Sequence, residues 1–166
     1  VHDQIEIPLA IPDLHVLKSV PLLRQRQQAL DEELEPRRPD GELVGPRAKQ
    51  SPFHADDEVV SLLRRARIRV PVVLVSNAAL ELEADLDSLG LGDLADHVVN
   101  SARVGLAKPD PRIYRLAADL AGVHPERCLF VDDSEENVGA AAALGMNAVH
   151  YRDPADLERA LKPLFA

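Results

Sequence analysis

Cys128-Leu129-Phe130-Val131-Asp132-Asp133-Ser134 sets an unbroken apolar run directly against two adjacent acids. Four apolar residues without alternation read as a strand buried on both faces, the pattern of a parallel sheet covered by helices. The acids then lie at its carboxyl end. Downstream, Val138 to Leu144 is an alanine-rich helix stopped by Gly145, and Ala148 to Tyr151 is another strand. A last helix runs from about Pro154 to Leu164 with Asp153 as its cap.

The same alternation extends upstream. Val70-Pro71-Val72-Val73-Leu74-Val75 is a second buried strand ending at Ser76-Asn77, and a helix with Leu80, Leu82 and Leu86 on one side is expected to follow. Asp56-Asp57 caps a preceding helix that carries Val59, Val60, Leu62 and Leu63 and ends in the basic turn Arg64 to Arg67. His97 to Asn100 is a short strand. Pro109-Asp110-Pro111 opens a helix with Ile113, Leu116, Ala117 and Leu120 facing inward, closed by Gly122. Alternating strands and helices give right-handed βαβ units, and hence an α/β fold with a Rossmann-like parallel sheet flanked by helices. In such sheets ligands gather beyond the carboxyl ends of the strands. Ser76-Asn77 and Asp132-Asp133 should therefore meet on one edge.

Residues 1–55 follow no such rhythm. Ile5 to Ile11 is a candidate strand weakened by Pro8 and Pro12, and Val20 to Leu34 a candidate helix. Glu35 to Pro52 has the composition of a loop. The organisation expected is a first core strand within residues 1–17, a reduced cap or linker over 18–55, and a core over 56–166.

Composition narrows the function. The chain has 166 residues, the size of one domain. Its net charge of −9 and the absence of a basic run argue against nucleic acid, and 3% aromatics with no Trp argue against base stacking. Cys128 is the only cysteine, so an intrachain disulfide is impossible and a cytoplasmic location is expected. No apolar stretch has the length of a membrane span. Monomer and homodimer are both open.

Adjacent carboxylates at a strand end are costly unless a cation or hydrogen bonds compensate them. Mg²⁺ takes one or two carboxylates together with water and phosphate oxygens, and Asn137, one helical turn on, is in reach of the same ion or its waters. Capping of the following helix by Asp133 or Ser134 is the structural alternative. Lys108 is either a solvated surface lysine or a point charge for a carboxylate and a phosphoryl oxygen. Ser76 and Asn77 are either a helix cap or, with the N–H groups of the next helix, an anion-binding corner.

Taken together, VVLVSNA (Val72–Ala78), VVNSARVGLAKPDPRIY (Val98–Tyr114) and CLFVDDSEENVGAAAALGMNAVHY (Cys128–Tyr151) resemble motifs II, III and IV of the haloacid dehalogenase superfamily, in its capped, phosphatase-like branch. The resemblance runs from about residue 56 to 162. It implies a Mg²⁺-dependent hydrolase acting on a small phosphorylated molecule through an aspartyl-phosphate. Ser76 and Asn77 would bind the phosphoryl group, Lys108 would hold the nucleophile and phosphoryl oxygens, and Asp132, Asp133 and Asn137 would hold the metal.

The first motif of that family, an apolar strand followed by Asp-x-Asp-Gly, has no clean copy. Asp85-Leu86-Asp87-Ser88 lies in a helix after the second motif, the wrong order. Ile11-Pro12-Asp13-Leu14-His15-Val16-Leu17 is the better match, with Asp13 as nucleophile and His15 in place of the second aspartate. A histidine titrates near neutrality and can protonate a leaving group, though it lacks a carboxylate's charge. The incomplete motif keeps a second reading open, a catalytically inactive domain that serves as a binding module. A third is dehalogenation, whose enzymes also lack the second aspartate but do not normally use Mg²⁺.

Overall fold

A computed structural model describes residues 15–19, 23–25 and 53–166. Among the described residues the chain order begins with strands β1 (His15–Ser19), β2 (Leu23–Gln25) and β3 (Phe53–Ala55), then helix α1 (Asp57–Arg67), β4 (Val72–Ser76) and α2 (Leu82–Ser88). It continues with β5 (His97–Asn100), α3 (Ser101–Val104), α4 (Pro111–Ala121), β6 (Cys128–Asp132), α5 (Glu135–Ala143), β7 (Asn147–His150) and α6 (Pro154–Phe165). The main sheet has the order β5-β4-β1-β6-β7, and every pairing in it is parallel.

Strand alternation divides the core into two layers. Val72 and Leu74 of β4 and Leu129 and Val131 of β6 face α1 and α6, where Val59, Leu63, Leu157 and Leu161 are fully buried. Val73, Val75, Cys128 and Phe130 face the other way, onto Ile113, Tyr114, Ala117 and Ala118 of α4 and Ala141 of α5. Tyr114 and Phe130 meet edge to face with centroids 5.1 Å apart. Burial also pushes the Cys128 thiol up to about 12, so it is an inert core group. The caps at Asp56, Ser134 and Asp153 are ones the sequence implies, and Asp110 adds a fourth. Asp56, Asp110, Ser134 and Asp153 each accept a main-chain N–H from the first turn of the helix that follows.

The N-terminal region departs from expectation. The central strand is His15–Ser19, which crosses the boundary expected after residue 17, while the candidate strand Ile5 to Ile11 lies outside the described residues. Within the expected helix Val20 to Leu34, Leu23–Gln25 is instead a strand, antiparallel to Phe53–Ala55. Pairing with a segment distant in sequence outweighs local helix propensity, which is a weak prior. The pair brings Gln25 opposite Phe53. Two apolar assignments shift as well. Leu80 precedes α2 and is 57% exposed, and Leu120 is 40% exposed because the buried stripe of α4 runs through Tyr114 and Ala118. Among the described residues, no helix is long and apolar enough to cross a membrane.

Asp156 fixes the turn between β7 and α6. Its buried carboxylate accepts from the Arg152 main-chain N–H at 3.1 Å, from the Arg152 guanidinium at 3.0 and 3.1 Å, and from Arg159 at 3.0 Å. The Arg152 guanidinium, foremost, holds this carboxyl below its ordinary range. A depressed folded-state value adds stability above the unfolded value, near pH 4, that is lost as pH falls through the folded value. Asp156→Asn should therefore cost about 1–3 kcal/mol at neutral pH, read from urea unfolding, and the gap to wild type should close on acidification below about pH 4.

Candidate active site

Parallel pairing carries polar residues of distant sequence to one edge. In register, Ser76 pairs with Asn100, Ser19 with Asp132, and Asp132 with His150, so the ends of β4, β5, β1, β6 and β7 lie side by side. This is the carboxyl edge where ligands of such sheets bind.

At its centre is a buried ion pair. Lys108 Nζ donates to Asp132 Oδ2 at 2.8 Å, with the two side chains 6% and 1% exposed. Asp132 is held at both oxygens. Asn137 Nδ2 donates to Oδ2 at 3.1 Å and the Ser134 main-chain N–H to Oδ1 at 2.8 Å. Tyr114 in turn donates its hydroxyl to the Asn137 carbonyl at 3.1 Å. Burial, with the negative charge of Asp132 second, raises the Tyr114 hydroxyl above its ordinary value, so it is a donor at neutral pH.

Asp133 is exposed beside this pair. Partial burial and then the Asp132 carboxylate push its carboxyl above the usual range, while Lys108 and the Asp133 main chain pull it down. Its carbonyl lies 3.0 Å from His150 Nε2. Two neighbouring carboxylates, one of them destabilised as an anion, form an environment that a cation relieves. Among the described residues no group of three or more His, Cys, Asp or Glu side chains surrounds a single point. A pair nonetheless fits Mg²⁺, which completes its shell with water and phosphate oxygens.

The sequence-predicted residues divide accordingly. Lys108, Asp132, Asp133 and Asn137 come together, and Ser76 shares their edge. Asn137 directs its amide nitrogen at Asp132, so it orients that carboxylate rather than offering this atom to a metal. Asn77 uses its amide on the main chain of Lys108, accepting from its N–H at 2.8 Å and donating to its carbonyl at 2.9 Å. The expected anion corner at Ser76 lacks its helix. α2 starts only at Leu82, and the Ala78 N–H is taken by Ser101 Oγ at 3.1 Å. His15 opens β1 opposite Cys128, at the amino end of β6, and Asp13 lies outside the described residues.

Sequence reasoning passed over Asn100, Ser101 and Tyr114. Asn100 is fully buried and donates to the Ala79 carbonyl at 2.8 Å and to Glu83 at 3.1 Å, while Ser101 bonds both main-chain groups of Ala78. The position of Asn100-Ser101 at the junction of a strand end and a helix start was the available signal.

The chain is similar to known proteins over most of its length. Residues 9–145 match the family model of the haloacid dehalogenase-like hydrolases. A phosphatase of Mycobacterium tuberculosis is 38% identical over 85 residues, covering 51% of this chain and 39% of that protein. The haloacid dehalogenase-like hydrolase domain-containing protein 3 of Bos taurus is 32% identical over 133 residues, covering 74% of this chain and 53% of that protein. The chain thus spans about half or less of the length of these curated relatives. Among solved structures, a hydrolase from Deinococcus radiodurans with bound phosphate and sodium is 25% identical and covers 90% of this chain and 88% of its own, with a TM-score of 0.60.

Removing the lysine from a buried pair strands its partner's charge. Lys108→Met should destabilise the fold by about 3 kcal/mol or more in metal-free urea unfolding, because Asp132 stays buried beside Asp133.

Proposed function

We propose, from the premise that this chain belongs to the haloacid dehalogenase-like hydrolase family, that it is a Mg²⁺-dependent phosphatase acting on a small phosphate ester. The observation that carries this reading is the buried Lys108–Asp132 pair with Asp133 beside it, on the edge shared with Ser76. A cationic side chain, a carboxylate pair and a hydroxyl are the groups that hold a phosphoryl dianion together with a divalent ion. The similarity to a phosphatase supports the same chemistry.

In this reading Asp132 and Asp133 would hold Mg²⁺, which would supply positive charge to the phosphoryl oxygens. Lys108 places its ammonium against those oxygens and Ser76 donates its hydroxyl to one of them. Asn137 and the Ser134 N–H keep the Asp132 carboxylate in one orientation. Asp13 is the proposed nucleophile. Its carboxylate oxygen forms a bond to phosphorus as the bond to the ester oxygen breaks, and water gives that oxygen a proton, because His15 opens β1 opposite Cys128, on the sheet edge away from Asp132. Water then cleaves the aspartyl-phosphate, releasing phosphate and restoring the carboxylate.

One observation favours a second reading, a binding domain without turnover. The residue of β1 that pairs with Asp132 is Ser19, and Asp13 precedes that strand in sequence. On this reading the edge holds phosphate without cleaving it.

Turnover of a generic aryl phosphate separates the two. The folded chain should release phosphate with Mg²⁺ and stop with a chelator. Asp133→Asn should lower kcat/KM by about 10²-fold or more, and Asp13→Asn should abolish phosphate release. Full activity in Asp13→Asn removes Asp13 as the attacking group. Phosphate binding without any turnover selects the binding domain.

A further inference from the structure

Lys108 has no regular element to hold it. It lies in the turn between α3 and α4, where the Asp110 N–H bonds the Ala107 carbonyl at 2.9 Å. A lysine side chain is long and freely rotating, so a fixed ammonium position needs a fixed main chain at its root.

Asn77 supplies that root. Its Oδ1 accepts the Lys108 N–H at 2.8 Å and its Nδ2 donates to the Lys108 carbonyl at 2.9 Å. A side-chain amide carries a donor and an acceptor side by side and can therefore answer both main-chain groups of one residue. Asn77 is itself anchored. It follows Ser76 at the end of β4, and the next two residues are tied to the end of β5, Ala78 by Ser101 and Ala79 by Asn100. A line of side chains thus runs from β5 through the loop after β4 to Lys108, and from Lys108 to Asp132 at the end of β6.

We infer that Asn77 is a positioning residue, whose amide sets the Lys108 ammonium against Asp132 and the phosphoryl group and does not itself bind phosphate. The role rests on the phosphate site proposed above, but two of its readouts do not require turnover.

The test is a double-mutant cycle on binding of inorganic phosphate with Mg²⁺, measured calorimetrically, combined with hydrogen exchange at the Lys108 amide. Asn77→Ala should weaken phosphate binding about tenfold in the wild-type background and less than about twofold in Lys108→Met, since its effect passes through the lysine. Equal losses in both backgrounds, or none in either, overturn the inference. Asn77→Leu, similar in size and without polar atoms, carries the same cycle if the alanine variant does not fold. Protection of the Lys108 amide should be lost in Asn77→Ala and kept in Asn77→Asp, which retains an acceptor. Unchanged protection in Asn77→Ala overturns the inference. If the wild-type chain hydrolyses no phosphate ester, the proposed phosphatase fails, while the cycle still reads the clamp. If it binds no phosphate either, amide exchange alone decides.

Discussion

The pairing of Lys108 with Asp132 is the contact around which the rest of the carboxyl edge is arranged. Two opposite charges removed from water attract strongly, but each loses its hydration, and the balance favours the pair only when the remaining hydrogen-bonding capacity is met. Here it is met at Asp132. Asn137 and the Ser134 N–H complete Asp132, Tyr114 braces Asn137, and Asn77 holds the main chain of Lys108. The same residues that make the buried pair tolerable also aim its two charges.

The fold makes this arrangement available at low cost. In a parallel sheet every strand delivers its last residue to the same edge, so groups more than fifty residues apart, such as Ser76 and Asp132, converge without a special loop. Two apolar layers fix the strands rigidly beneath, and the helices of one layer enter the site directly. Tyr114 of α4 packs on Phe130 with its ring and reaches Asn137 with its hydroxyl, joining the core to the polar edge through one side chain. Asp133, exposed and raised by partial burial and then by the Asp132 carboxylate, is the outward acid of the pair.

Legibility in the sequence followed the strength of the local pattern. The strands at Val72–Ser76 and Cys128–Asp132, the helices capped by Asp56, Asp110 and Asp153, and the carboxylates of the third quoted motif could be read because apolar runs and capping residues act over a few positions. Within the helix expected at Val20 to Leu34, Leu23–Gln25 is a strand through its pairing with Phe53–Ala55, and the rest of that span lies outside the described residues. Helical spacing groups Leu80 with Leu82 and Leu86 and turns Leu120 inward, yet which side of a helix is covered depends on the neighbouring element. Spacing and strand-end position point Asn77 to a phosphate and Asn137 to a metal, while their actual partners, Lys108 and Asp132, follow from tertiary placement.

By itself, the sequence determined an α/β parallel sheet, the strand ends that carry Ser76 and Asp132, and the residue types fit for a phosphate and a divalent ion, since each of these depends on patterns a few residues long. Only the tertiary structure decided that β1 is His15–Ser19 with Ser19 opposite Asp132, that α2 starts too late to serve Ser76, and that Asn77 grips the main chain of Lys108. Register, helix onset and hydrogen-bond partner are set by contacts between segments far apart in the chain, and no local pattern encodes them.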